Sequence, residues 1–525
     1  MSSSQRRWLS FFLGIFIGIG AIFRVSHLDT KIVWTDELYT SMRVKGYSVR
    51  EYRHFWEDFL AQYPAGVSVS DMQEQANQLV PRNFPAVHDA LRSRPEHPPL
   101  YYFGAYFWSQ LFGYSVLQHR LFSAVISLLA FPALYWLCQE LFGSPWIAGL
   151  TVALFAVSPF HLLYAQEARQ YGLWTVTFLF SMLFYLRALR LGGWPNWLGY
   201  ILATLAALYS HLLSLFLLLS QVFMGGRRLL SRQCVPLIGS WLVIALGFWP
   251  WLKIIDEDRT PGWVEKTLSA GWWLKRWLLG VDSLFLDLNF FPSKALYSLK
   301  FIQRAETPTF GITDVIGLLI LGICVWGGIL VFRECPLRVT VAITILGLGL
   351  FLPLFALDLY SGGIRSSIPR YLIPTLLSLQ VLFAYALASF LTRWQTGWQR
   401  HLRLLPWAVL LISVMACVTT LQSSVAWTKS KDYYLSDLVQ LINEAEQPVL
   451  VYQSILKVTL LVPYLEPHTR LIRDSDLTAS ENPITLGPDE TVFLVQPVNS
   501  YFNHCPEFEQ LEPDANVWRV VNCPE

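Results

Sequence analysis

Charge is scarce in this chain of 525 residues: 14% are Asp, Glu, Lys or Arg, and the net charge is +2. A surface for nucleic acid needs a dense basic patch, so no nucleic-acid partner is expected. Cysteine is sparse as well. Cys138, Cys234, Cys324 and Cys417 fall singly in or beside apolar runs and Cys335 lies in a short basic loop, so no close metal-type pair exists. Cys505 and Cys523 share the polar C-terminal region, and a disulfide between them requires an extracytoplasmic setting. The alternating ten-residue segments of a membrane barrel are missing, and so is any solenoid repeat. The first apolar run, residues 8–24 after Arg6 and Arg7, lacks a small-residue cleavage site and reads as an uncleaved helix.

Apolar residues are abundant, at 54% of the chain, more than a soluble protein of this size buries. They fall in runs of about 17 to 22 residues, long enough to cross the hydrocarbon as helices. The fold class expected is an all-α polytopic membrane protein of about eleven spans, followed by a small α/β domain. Short basic clusters fix the sidedness. Arg6–Arg7, Arg187 with Arg190, Arg227, Arg228 and Arg232, Arg333 with Arg338, and Arg393, Arg400 and Arg403 all lie in the cytoplasm if the proline-led stretch 98–112 does not cross. The spans then fall near 8–24, 121–140, 146–163, 171–186, a hairpin within 197–223, 236–252, 312–332, 339–357, 371–391 and 404–422.

With this parity a transmembrane unit, residues 1–424, carries two large external loops, 25–120 and 253–310, and residues 425–525 form an external domain. Residues 49–60 read as a helix on the membrane surface, and Trp263, Trp272, Trp273 and Trp277 suit an interfacial segment. Pro448 to Tyr452 and Thr491 to Gln496 read as buried strands.

The conspicuous polar residues gather on the outer face. Asp36 and Glu37 follow the first span, where a carboxylate can accept a proton from a hydroxyl while a lipid substrate stays in the bilayer; alone, they read equally as the start of a solvated loop. Glu96 and His97 precede a Pro-Pro helix start, where a His meets an anionic ligand such as phosphate. Glu167, Arg169 and Tyr171 lie between two spans, with Glu167 and Tyr171 on one face if the helix continues. An ion pair at the membrane boundary is the structural alternative. His211 marks the tip of the hairpin. Arg365 and Arg370, followed by Tyr371, precede a helix whose dipole they oppose, a conflict that an anion relieves through bidentate hydrogen bonds; interfacial snorkelling is the plainer role.

The order TDELYT (35–40), HPPLYY (97–102), SPFHLLYAQEARQY (158–171), LYSHLL (208–213) and PRYLIP (369–374) resembles GT-C-type membrane glycosyltransferases. The likeness is to the family of protein O-mannosyltransferases and lipid A aminoarabinose transferases, over roughly the first 390 residues. It implies a plasma (inner) membrane enzyme that moves a sugar from a polyprenyl-phosphate donor to a lipid, glycan or protein acceptor on the extracytoplasmic side. Asp36 would be the general base of an inverting displacement, Glu37 its neighbour, and Glu167 a second acid at the active site. His97 stands where some relatives carry a lysine against the donor phosphate. Arg169, Arg365 and Arg370 are the candidates for holding the phosphate leaving group. A divalent metal is left open, with Asp36, Glu37, Glu167 and His211 as available ligands. The rival class is a transporter or flippase for a lipid-linked sugar, which favours charges near the midplane and repeat symmetry.

Overall fold

The computed structural model describes residues 3–226, 234–255, 268–286, 308, 310–393, 398–426, 428, 432, 434–475, 489–495, 507–512 and 517–522. Among these residues eight helices are long and apolar enough to cross a membrane, nine if the bent pair Pro145–Ala156 and Pro159–Gln166 is one span. The chain is a multi-pass membrane protein. The eleven spans expected from sequence differ at the hairpin within 197–223, which consists of the shorter helices Trp194–Ser210 and Ser214–Gly225. At 1.5 Å per residue the second is about 18 Å long, against roughly 30 Å of hydrocarbon. Leu100–Phe112, with 13 residues, is likewise too short to cross upright.

The bent pair sets the position of the polar turn 167–170. It bends by 61° at Val157 and Ser158. Pro159 has no N–H for the Phe155 carbonyl, and the Phe160 N–H turns away to the Ser283 carbonyl at 3.1 Å. Arg24, buried near the end of the first helix Ser3–Val25, takes over both carbonyls. Its Nη1 donates to Ala156 O at 2.7 Å and its Nη2 to Phe155 O at 3.3 Å. Gly20 permits this approach, since a Cβ there would stand 2.3 Å from the Ala156 oxygen. Gln166 then closes the C-terminal end of the first helix, donating to Phe23 O at 2.8 Å and Ser26 O at 2.7 Å. The turn 167–170 is thereby fixed at the mouth of the first span.

A second apolar core lies beyond the bundle. The helix Val49–Leu60 turns Tyr52, Trp56, Phe59 and Leu60 inward, but against the C-terminal region, where they join Leu435, Leu438, Val458 and Phe493. The apolar stripe read as membrane-facing thus serves a core shared with the C-terminal region. The six-stranded sheet comprises β1 (Val67–Ser68), β2 (Pro448–Tyr452), β3 (Arg470–Arg473), β4 (Thr491–Val495), β5 (Glu507–Glu512) and β6 (Val517–Asn522), in the order β1-β3-β2-β4-β6-β5. β2 runs parallel to β3 and β4. β1 comes from the loop after the first span and pairs antiparallel with β3, Val67 opposite Leu471. The loop after the first span and the C-terminal residues are therefore one folded unit.

In the loop 253–310, the helix Ala270–Asp282 buries Trp272, while Trp273 and Trp277 stack edge-on against Phe355 at 5.3 and 5.4 Å. Trp263, Cys505 and Cys523 lie outside the described residues.

Candidate active site

The Asp-Glu pair opens a helix, Thr35–Val44, where the helix dipole favours acidic side chains. Neighbours on a helix point about 100° apart, so the two acids face different surroundings. Glu37 is 1% exposed and fully engaged by the protein. Arg120 grips it with two hydrogen bonds, Nε to Oε1 at 2.8 Å and Nη2 to Oε2 at 2.7 Å, and the Ala168 N–H donates to Oε1 at 2.9 Å. The remaining Arg120 donors hold the carbonyls of Leu28 (2.7 Å), Lys31 (2.9 Å) and Ile32 (3.4 Å). Glu37 is a clip joining the first loop to the 167–170 turn.

Asp36 is half-buried and faces the other way, within electrostatic reach of Arg169, Arg370 and Tyr171. Arg169, 2% exposed, is oriented by three acceptors on its Nη1: Tyr102 Oη at 3.1 Å, Thr40 Oγ1 at 3.2 Å and the Asp36 carbonyl at 3.3 Å. Burial opposes its charge, yet Tyr102, Asp36 and Tyr171 hold its pKa above the ordinary arginine value. Arg370 lies over the Trp34 ring at 5.7 Å and over Tyr371 at 5.4 Å. His211 stacks on Trp174 at 4.3 Å, with Tyr171 at 6.1 Å and Tyr371 at 6.3 Å. Its Nδ1 accepts the Leu213 N–H at 3.2 Å, which leaves the ring proton on Nε2.

Both imidazoles are neutral at pH 7. Burial, then Arg169 and Arg370, push His211 down to about 3; burial, then Arg43 and Arg169, push His97 well below its usual range. The lysine-like charge looked for at His97 is thus absent from that side chain. On unfolding, His211 regains a pKa of about 6.5, so between pH 6.5 and 3 the unfolded chain binds a proton that the folded chain refuses. Stability accordingly falls on acidification through that window. His211→Gln is expected to give a shallower drop in Tm between pH 7 and pH 5, measured in detergent, than the wild type; an equal drop would remove His211 from this balance.

Other sequence candidates stand apart from Asp36. Arg365 pairs with Asp358 at 3.2 Å and donates to Gly362 O at 2.8 Å. Asp358 also accepts the Arg365 and Ser366 N–H groups at 2.9 and 2.7 Å, so Arg365 closes the turn that delivers Arg370. Glu96 is exposed on the rim, 3.6 Å from Arg94. Glu167 and Tyr171 do not share one helix, because the chain leaves Pro159–Gln166 at Glu167 and starts Tyr171–Leu191 after the turn. Glu167 lines a small pocket with Trp34, Arg120 and Asp432.

Three side chains in this cluster were not singled out from sequence: Thr40, Arg43 and Tyr102. A signal exists for the first two, since Asp36, Thr40 and Arg43 are spaced i, i+4 and i+7 on one helix face. Arg43 is 3% exposed and lies 5.9 Å over the Tyr102 ring, and its Nη1 has no hydrogen-bond partner among the described residues. Burial lowers its pKa below the ordinary arginine value, while Tyr102 opposes that shift. Such a buried donor calls for an acceptor. Among the described residues no three His, Cys, Asp or Glu side chains converge as a metal site would need. Glu37, one of the ligands considered, is already committed to Arg120.

The sequence profile described as dolichyl-phosphate-mannose-protein mannosyltransferase matches residues 96–253, the stretch that contains His97, Tyr102, Arg120, Arg169 and His211. ArnT from Cupriavidus metallidurans, solved bound to undecaprenyl phosphate, superposes with a TM-score of 0.51 at 11% identity, over 97% of this chain and 98% of that one. The fold is of the GT-C type. The same GT-C architecture relates the chain to the archaeal oligosaccharyltransferase AglB from Archaeoglobus fulgidus, solved with an inhibitory peptide and a dolichol-phosphate. That match has a TM-score of 0.51 at 10% identity, over 99% of this chain and 75% of that one. No curated protein matches by sequence. The identities are too low to carry residue roles across, so the roles rest on the geometry of this chain.

Proposed function

We propose that the chain is an inverting glycosyltransferase that moves a sugar from a polyprenyl-phosphate donor to an acceptor hydroxyl on the extracytoplasmic side of the plasma membrane. The observation that carries this reading is Asp36: half-buried on the helix face shared with Thr40 and Arg43, within electrostatic reach of Arg169 and Arg370. A base beside a cationic wall suits a displacement in which one group takes a proton as a phosphate departs. The GT-C fold, and the polyprenyl phosphates bound by the solved relatives, support the donor class.

In the mechanism, the acceptor hydroxyl lies against the Asp36 carboxylate and gives up its proton as its oxygen attacks the anomeric carbon. The glycosidic C–O bond to phosphate breaks on the opposite face, and the electron pair leaves with the polyprenyl phosphate. Arg370 and Arg43 carry the developing charge. Arg43 supplies the cation that His97, neutral and next to it, does not. Arg169 is held by Tyr102 and Thr40 and acts by orienting the Asp36 backbone. Tyr171, Tyr371 and His211 line the sugar position, with the His211 Nε2–H as donor. Glu37 acts by positioning the turn 167–170 through Arg120 and the Ala168 N–H, and Arg365 by closing the turn that delivers Arg370. A single displacement predicts that a donor of defined anomeric configuration yields a product of the opposite configuration by NMR. Retained configuration would contradict the mechanism.

A further inference from the structure

The helix that carries Asp36 begins without a cap of its own. Its N-cap residue is Trp34, whose side chain makes no capping hydrogen bond, although its extended backbone is what a Ser or Asp cap would adopt. The missing acceptor comes from about 400 residues further along the chain: Asp432 Oδ2 accepts the Thr35 N–H at 3.0 Å. Asp432 is 3% exposed, and its other oxygen is taken by the ammonium of Lys457. Lys457 belongs to the helix Ile455–Leu461 of the C-terminal domain.

The preceding residues are tied to the same region. The Ile32 N–H donates to Ser424 O at 3.0 Å, and the Val33 N–H to Tyr464 Oη at 2.9 Å. The Lys31 ammonium reaches the Thr420 carbonyl. The backbone N–H groups of Ile32, Val33 and Thr35 are therefore satisfied by the chain that follows the last apolar helix. A carboxylate at a helix N-terminus both completes the first turn and complements the dipole.

The geometry points to Asp432 as the positioning residue of Asp36: the C-terminal domain, through Lys457 and Asp432, sets the first turn of the helix from which the general base projects. This rests on the proposed role of Asp36. It assigns the C-terminal domain a part in catalysis, although that domain contributes no group to the reacting atoms. Asp432 touches a backbone N–H, not substrate, so its loss misplaces the base and leaves the donor's phosphate contacts intact.

Full-length Asp432→Ala and Asp432→Asn test this, with Asp36→Asn as reference. Asn keeps an acceptor for the Thr35 N–H, and Ala does not. In Asp432→Ala, amide exchange in residues 35–38 is expected to speed up by about tenfold, the range lost with a helix cap, with kcat falling by a similar factor and donor KM within about twofold of wild type. Asp432→Asn is expected to restore most of both. Wild-type exchange and kcat in a folded Asp432→Ala would overturn the proposal, as would an equal loss in Asp432→Asn. Should Asp36→Asn retain full activity, the reading of Asp36 as base falls, whereas the exchange result still decides whether Asp432 caps the helix.

Discussion

Asp36→Asn is expected to lower kcat by about a thousandfold, within the range that a positioned general base contributes. The substitution preserves size and helix position. The Asp36 carbonyl that accepts from Arg169 is backbone and stays in place. The ring of Arg370, Trp34 and Tyr371 is likewise untouched. What is lost is the proton acceptor, so donor KM is expected to hold within a few-fold while turnover collapses, the pattern of an interaction made only in the transition state. Steady-state kinetics on purified Asp36→Asn with a defined polyprenyl-phosphate sugar measures this. A kcat within tenfold of wild type would remove Asp36 from the chemistry.

Arg120→Met carries the largest expected effect on stability. Arg120 and Glu37 are 5% and 1% exposed, and two hydrogen bonds join them. Removing one partner of a buried ion pair leaves the other charge uncompensated, at a cost of about 3–5 kcal/mol. Here the carbonyls of Leu28 and Lys31 lose their donor as well. Reversible unfolding in detergent, where it holds, or thermal inactivation otherwise, should show the variant sharply destabilised. The double variant Glu37→Gln/Arg120→Met should recover part of the loss, because no buried charge is then left alone. A single variant within about 0.5 kcal/mol of wild type would show that the pair is not the clip described.

The contrast between the two acids bears on what a sequence reveals. The pair was visible, and so was the shared face of His97, Arg169, His211 and Arg370, because apolar run length and basic clusters carry membrane information directly. The division of labour between Asp36 and Glu37 was not visible. It depends on Arg120, 83 residues from Glu37 and inside an apolar span, where no local spacing announces a partner. Arg365 illustrates the reverse error. Its position opposite a helix dipole suggested an anion, but Asp358, seven residues earlier, satisfies it. Glu167 and Tyr171 are separated because the chain leaves the helix at Glu167, directly after Gln166 closes the first span. The pairing of β1 with β3 and the Asp432 cap join segments about 400 residues apart, and such contacts leave no periodic trace.

Arg43 was overlooked for a different reason. It sits at the end of a short helix, where its spacing from Asp36 and Thr40 places it on their face, but only its burial, with Nη1 lacking a partner among the described residues, sets it apart from a surface arginine. It lies within electrostatic reach of His97, whose imidazole it helps to keep neutral.

The central claim is covalent transfer at Asp36, and it separates cleanly from movement of a lipid-linked sugar across the bilayer. The decisive measurement uses sealed vesicles containing the full-length protein, a polyprenyl-phosphate sugar labelled in the sugar, and a hydroxyl acceptor on the extracytoplasmic side. The account predicts labelled acceptor and an equal amount of free polyprenyl phosphate, both lost in Asp36→Asn. Labelled donor that changes leaflets with its sugar still attached, at the same rate in Asp36→Asn, would contradict it.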